Sequence, residues 1–173
     1  MNKKTIYIVV AVLVVVIVVA GAAAYVLLNN SGNGGQSTPT VSVAVATNLQ
    51  FNANVTSQGT TVEYQWAGRD IHANNLTIRV DVLGGASGNY SYILDAGQQK
   101  SWSSTDNGVT WIVSTDFAGD WNSWGTQWTG YLDNLANWSG SGDYSYTNAA
   151  GEAITLFNIS VNPTIPVSTF QAS

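Results

Sequence analysis

Seven large apolar residues in the second half of the chain are spaced as one face of an α-helix. They recur at steps of 4, 3, 4, 3, 4 and 3, which a strand cannot satisfy because its side chains alternate with a period of two. Asp116 or Thr115 can cap the start of this helix, and Gly140 and Gly142 end it. We therefore predict a helix from Asp116 to Trp138 whose apolar stripe consists of Phe117, Trp121, Trp124, Trp128, Tyr131, Leu135 and Trp138.

Runs of alternating apolar and polar residues precede and follow this helix. "LQFNANV", for example, places Leu49, Phe51, Ala53 and Val55 on one side, as expected of a half-buried strand. The alternation continues in "TVEYQWAGRDI", "NLTIRVDV", "YSYIL", the short runs 100–103 and 109–112, and the closing hairpin "DYSYT" and "EAITLFNISV". The order predicts an α+β fold, a curved antiparallel β-sheet covered by one long amphipathic helix.

The N-terminal residues follow different rules from a soluble core. From Thr5 to Leu28 no residue is charged, and a helix of that length crosses a hydrocarbon core of about 30 Å. We predict a transmembrane anchor at residues 1–28, with Lys3 and Lys4 on the cytoplasmic side and the rest of the chain extracytoplasmic. The alternatives are a signal peptide cut near the alanines at 22–24 and, with less support from the sequence, a pilin helix.

The remainder divides into a linker and one domain. Residues 29–40 are Gly, Ser, Asn, Thr, Gln and Pro, which predicts a flexible tether. Residues 41–173 form a β-rich domain of ordinary size. This domain has three cations, Arg69, Arg79 and Lys100, against ten carboxylates, a formal charge of −7. Without a basic patch to meet phosphates, nucleic acid is excluded as an expected partner.

No arrangement of residues in the sequence predicts catalysis, a cofactor or a metal. The chain has no cysteine, and its single histidine, His72, has no second metal ligand at a suitable spacing. Asp116 and Asp120 could be a carboxylate pair, but a helix cap and a first-turn acid explain them more simply. We therefore expect a protein that is not an enzyme.

The aromatic stripe has two interpretations. Its rings can be the core face of a helix against a sheet, or they can leave an apolar cleft that holds an acyl chain. The second interpretation makes Trp121, Trp124, Trp128 and Tyr131 ligand-binding residues. Six N-x-[ST] triplets also occur, and in an exported chain they are glycosylation sites by sequence: Asn29, Asn54, Asn75, Asn89, Asn137 and Asn158.

Several segments of the domain together resemble the LolA/LppX-like lipoprotein-carrier superfamily. They are "LTIRVDV", "YSYILDAGQQKSWSS" leading to "VTW", the helical interval, and a last strand that runs into "NPTIPVSTF". The resemblance covers residues 48–170, and its tail consists of Asn162, Pro163, Ile165, Pro166, Ser168 and Phe170. It implies an incomplete barrel whose apolar concave side, covered by helices, binds acyl chains or lipid-linked cargo, with Arg79 as a cargo-facing polar group.

Two functional hypotheses follow from these features. The first is a membrane-anchored domain that binds a lipid, acyl chain or other apolar ligand between helix and sheet without catalysis. A tethered chain cannot shuttle between membranes, so an acceptor or sensor fits better than a carrier. The second is a cell-surface structural or interaction protein, such as an envelope or filament subunit, in which the same rings are plain core and no ligand pocket exists.

Overall fold

The computed structural model describes residues 42–85 and 88–172, within the compact unit Val41–Ser173. The predicted anchor and linker, residues 1–40, lie outside the described residues. In the described part of the chain, no helix combines the length and apolarity needed to cross a bilayer. The strands are β1 Asn48–Ser57, β2 Thr60–Arg69, β3 Thr77–Gly85, β4 Gly88–Asp95, β5 Lys100–Ser104, β6 Ile112–Val113, β7 Tyr144–Thr147 and β8 Ala153–Val161.

The eight strands form one open, curved antiparallel sheet. Their order is β6-β5-β4-β3-β2-β1-β8-β7, so β8 returns beside β1 after the helix. β1 and β2 are joined by the tight turn "SQGT", in which Gln58 and Gly59 have φ of 51° and 80°. Both central residues of a two-residue hairpin turn of type I′ need such a positive φ, and it is least costly for glycine. The predicted class, a mostly antiparallel sheet with one helix, is confirmed.

The predicted alternation sets which residues face the helix. Leu49, Phe51 and Ala53 of β1 are buried with at most 1% of their surface exposed. Phe51 is opposite Trp66 of β2, which is opposite Val80 of β3, so one row of apolar side chains crosses three strands. The residues between them point to the other face of the sheet.

The helix α1 covers the apolar face, and it is not α-helical throughout. It consists of Phe117–Asp120, a π-helical turn Trp121–Gly125, and Thr126–Leu135, and the Thr126 N–H donates to the Trp121 carbonyl to close the wide turn. Asp116 caps its start as predicted, because its side chain accepts from the Gly119 N–H at 3.0 Å. The extra residue of a π turn rotates the preceding residues by about 100° relative to the regular pattern.

The predicted boundaries of two elements were wrong. The helix ends at Leu135 rather than Trp138, and the Trp138 indole N–H instead donates to the Gly142 carbonyl at 2.9 Å. The strand predicted at 109–112 is instead Ile112–Val113. Here the Asp106 carboxylate accepts from the backbone N–H groups of Val109 and Thr110, which holds both residues in a turn.

One edge of the sheet is apolar and exposed. The edge strand β6 has only two residues, Ile112 and Val113, with 67% and 60% of their surface exposed. The strand contains neither a charge nor a proline, but its length of two residues itself limits pairing with another chain at this sheet edge.

Candidate functional site

The space between α1 and the sheet is occupied by aromatic rings. Trp128 has no exposed surface, and Tyr131 has 2%. The Trp128 ring stacks on Phe51 with 5.6 Å between centroids, and Tyr131 meets the edge of Trp66 at 5.6 Å. Offset and edge-to-face contacts at these distances are the arrangements that aromatic rings prefer. The rings therefore pack as a core.

A glycine in the sheet makes room for the largest of these rings. Gly68 of β2 lies directly beneath Trp128, and a Cβ atom at this position would clash with the six-membered ring of that tryptophan. β2 can approach the helix here only because the residue has no side chain. The sequence supplied no signal for this contact.

The aromatic residues that the sequence predicted as ligand-binding are buried to different depths in one cluster. Trp124 joins the core cluster, where its ring lies 5.1 Å from that of Tyr92. Trp121 is only partly buried and packs at the border of this cluster, where its ring centroid lies 5.7 Å from that of Phe117. Arg79 lies on the opposite face of the sheet, as its alternation with Ile78 and Val80 requires.

Three polar atoms within the aromatic core have no hydrogen-bond partner among the described residues. They are the indole nitrogens of Trp66 and Trp128 and the hydroxyl of Tyr131. Burial raises the pKa of Tyr131 well above its ordinary value, so that the hydroxyl remains protonated. An unpaired buried donor typically costs about 1–3 kcal/mol, and such groups are rare in protein interiors.

A polar cavity of about 320 Å³ lies on the face opposite the helix. Two adjacent rows of the sheet form its floor: one contains Gln50, Ala67 and Arg79, and the other Asn52, Gln65 and Asp81. Ala67 is the smallest of these residues, and it leaves the hollow between Gln50 and Arg79. The remaining wall comes from β8 and the C-terminal segment, through Asn158, Ser160 and Thr169.

An ion pair at one side of the cavity neutralises its only cation. The Arg79 guanidinium donates from Nε and Nη2 to the Asp81 carboxylate at 3.0–3.1 Å. The Arg79 Nη1 donates to the Thr169 carbonyl at 3.3 Å, and the Arg79 Cζ atom lies 5.5 Å from the centroid of the Trp111 ring. Three of the five guanidinium N–H groups are thus used, and the other two can bind a ligand.

Glu63 orients two amide side chains in the floor. Its Oε1 accepts from the amide nitrogen of Asn52 at 3.0 Å and from that of Gln65 at 3.1 Å. A carboxylate can only accept, so both amides direct their nitrogen toward Glu63. Their carbonyl oxygens are then left as acceptors in fixed positions.

The C-terminal segment, residues 162–170, is attached to the domain at both ends. At one end the Asn162 side chain accepts from the backbone N–H groups of Thr47 and Asn48, at 2.7 and 3.2 Å. At the other end Phe170 is buried, and the Arg69 guanidinium lies 5.1 Å above its ring. These contacts hold Thr169 in the cavity wall.

Most residues of this cavity were missed by reasoning from the sequence. Strand alternation already placed Asn52, Gln65 and Asp81 on the same face as Arg79, and that signal was available. The return of residues 162–170 across the sheet had no comparable pattern. No protein-family model, curated protein or solved structure matches the chain.

Proposed function

We propose that this chain is a non-catalytic recognition domain, held outside the membrane by its N-terminal segment, that binds an uncharged saccharide in the Arg79 cavity. The observation that carries this proposal is the pre-oriented floor of the cavity. The amides of Asn52 and Gln65 are fixed by Glu63, and the Arg79 guanidinium is fixed by Asp81. A binding site whose polar groups are already ordered loses less conformational entropy when the ligand arrives.

The hydrogen-bonding groups of the cavity match those of a sugar hydroxyl. Acceptors are the free carbonyl oxygens of Asn52 and Gln65 and the Asp81 carboxylate, and donors are the two unused N–H groups of Arg79. Each hydroxyl can donate one hydrogen bond and accept two, so a polyhydroxylated ligand can satisfy both sets. A purely apolar ligand would leave these groups without partners.

Charge favours a neutral saccharide over an acidic one. The Arg79 charge is balanced by Asp81 at 3.0 Å, and Glu63 adds a negative charge close by. The domain as a whole carries a formal −7, which repels anionic ligands. The volume of about 320 Å³ is at the lower end of small-molecule cavities, roughly 300–1,000 Å³, and suits a short terminal saccharide unit.

The test uses the full-length chain produced in a bacterial host without N-linked glycosylation. On an array of neutral and acidic oligosaccharides we expect binding to neutral ones, and the best of these is then titrated by calorimetry. Gln65→Ala removes a fixed acceptor and should weaken binding about tenfold, the equivalent of one hydrogen bond of about 1.4 kcal/mol. Ala67→Leu fills the hollow and should abolish binding.

Asn54→Ala is the matched control, because Asn54 lies on β1 two residues from Asn52 but outside the cavity. It should leave the affinity unchanged. If no neutral oligosaccharide binds, or if Ala67→Leu binds as well as the natural chain while remaining folded, the proposal is wrong.

A second candidate function is the binding of an apolar ligand between α1 and the sheet, as the lipoprotein-carrier resemblance and an incomplete barrel imply. The unpartnered polar atoms of Trp66, Trp128 and Tyr131 favour it, because a lipid carbonyl or hydroxyl could accept hydrogen bonds from them. The rings would have to move apart to admit it. Native mass spectrometry of detergent-free chain should then show a retained lipid, and a chain without one counts against this function.

A further inference from the structure

The glycosylation sequons of the folded domain differ in whether their reactive groups are accessible to a transferase. A transferase must reach the asparagine amide and also the hydroxyl two residues later, which is why occupied sequons lie in surface segments. In the sequon at Asn75 the hydroxyl belongs to Thr77, which is 2% exposed. In the sequon at Asn89 it belongs to Ser91, which is 3% exposed. Neither hydroxyl is accessible once the sheet has formed.

The sequon at Asn54 is blocked by strand pairing. Its strand, β1, lies between two others, so Asn54 is opposite Glu63 on one side and Thr155 on the other. The hydroxyl of this sequon, on Thr56, shares a hydrogen bond of 2.7 Å with the Thr61 hydroxyl. The backbone here cannot leave the sheet to enter an active site without breaking both ladders.

Two of the five sequons in the described residues remain. Asn137 and Ser139 are exposed in the segment after α1, and Asn158 and Ser160 are exposed in β8. The amide of Asn158 makes no hydrogen bond to another described residue, in contrast to the Asn75 amide, which donates to Asp70. Both sequons therefore present their reactive groups to solvent.

The sequon at Asn158 is accessible although it lies in a strand, because the strand is interrupted there. Gln50 is opposite Ser160 and Asn52 is opposite Phe157, so two residues of β8 oppose one residue of β1 in a β-bulge. Asn158 has φ of 53°, a left-handed conformation that asparagine tolerates better than most residues. The neighbouring strand β7 pairs only with 153–156, which leaves the other side of the bulge open.

We propose that Asn158 is an N-glycosylation site of the folded domain and that its glycan covers the Arg79 cavity. The donor is a lipid-linked saccharide phosphate. The amide nitrogen of Asn158 bonds to the anomeric carbon of the sugar, and the bond from that carbon to the phosphate oxygen breaks. The lipid phosphate leaves with the electron pair, and the amide proton passes to a base of the transferase.

The position of the sequon makes the modification relevant to binding. Asn158 and Ser160 both line the cavity, together with Gln50 and Asn52 of the neighbouring strand. The first sugar on Asn158 therefore lies at the cavity mouth, where it excludes a free saccharide. This consequence rests on the saccharide-binding proposal, whereas the modification itself does not.

Peptide mass spectrometry of the full-length chain from its native membranes tests the modification. Since no Lys or Arg follows Lys100, trypsin leaves both accessible sequons on one peptide, and a protease that cuts after acidic residues separates them at Asp143 and Glu152. We expect a glycan on Asn158 and none on Asn75 or Asn89. An unmodified Asn158, or equal occupancy at Asn75, overturns the assignment.

Paired variants at Ser160 test the effect on the cavity. Ser160→Thr keeps the sequon and Ser160→Ala removes it, and Asn158→Gln removes it by a second route. From the native host, the two variants without the sequon should bind the neutral oligosaccharide at least tenfold more tightly than Ser160→Thr. If all three variants bind with equal affinity although Asn158 carries a glycan in Ser160→Thr, the glycan leaves the cavity open, which contradicts the inference. If none of the three variants binds although Asn158 carries a glycan in Ser160→Thr, the saccharide proposal alone fails.

Discussion

Replacing Trp128 with alanine is expected to lower the free energy of unfolding by about 3–5 kcal/mol, roughly a fifth or more of the 5–15 kcal/mol typical of a whole domain. The side chain has no exposed surface, and its ring contacts both Phe51 and Trp66. Its removal leaves a cavity at the centre of the helix–sheet interface, with a rigid glycine backbone beneath that cannot fill it. Urea unfolding followed by tryptophan fluorescence and circular dichroism measures the change.

Two further variants in the same cluster distinguish the effect of ring packing on stability from the effect of removing a buried polar atom. Gly68→Ala adds one methyl group where Trp128 already fills the space, so it should destabilise by about 1–3 kcal/mol through overpacking. Tyr131→Phe removes only a buried hydroxyl without a partner and should leave stability equal or slightly higher. A Trp128→Ala variant as stable as the natural chain would mean that these rings do not form the core.

The strands and the helix were predictable because each depends on a local repeat. Leu49, Phe51 and Ala53 alternate, and the same alternation buries them. The π turn was not predictable, since the spacing of Trp121 and Trp124 fits a regular helix equally well. Whether the extra residue of the wide turn is inserted depends on how the rings pack against the sheet, and sequence spacing does not contain that information.

The cavity shows a second limit of the sequence. Arg79 was predicted to be a ligand-binding residue, but through a resemblance that placed it facing an apolar cargo. Arg79 donates hydrogen bonds to Asp81, two residues later in the sequence, and to Thr169, ninety residues later. The near contact follows from strand alternation. The distant one depends on Asn162 and Phe170, which hold the C-terminal segment across the sheet, and neither has a periodic pattern that predicts this role.

Alkaline pH is expected to unfold the domain through its buried tyrosines. Burial, with smaller contributions from Tyr90 and Glu152, raises the pKa of Tyr64 from 10.0 to about 12. Burial likewise raises the pKa values of Tyr90, Tyr131 and Tyr146. In the unfolded chain these hydroxyls ionise near pH 10. Their contribution to stability is therefore complete below pH 10 and is lost as the pH rises from 10 toward and beyond 12, because the unfolded state releases protons that the folded state retains.

For Tyr64 alone a shift of two pH units corresponds to about 3 kcal/mol, and the other tyrosines add to it. Urea unfolding at a series of pH values should show constant stability up to about pH 10 and a steep fall above it, with tyrosinate absorbance appearing together with unfolding. Tyr64→Phe should reduce the slope of this fall, because the variant loses one of the shifted groups. If the tyrosines instead ionise near pH 10 while circular dichroism still reports a folded sheet, their hydroxyls have access to water, and the ring cluster between α1 and the sheet is open enough to admit a ligand.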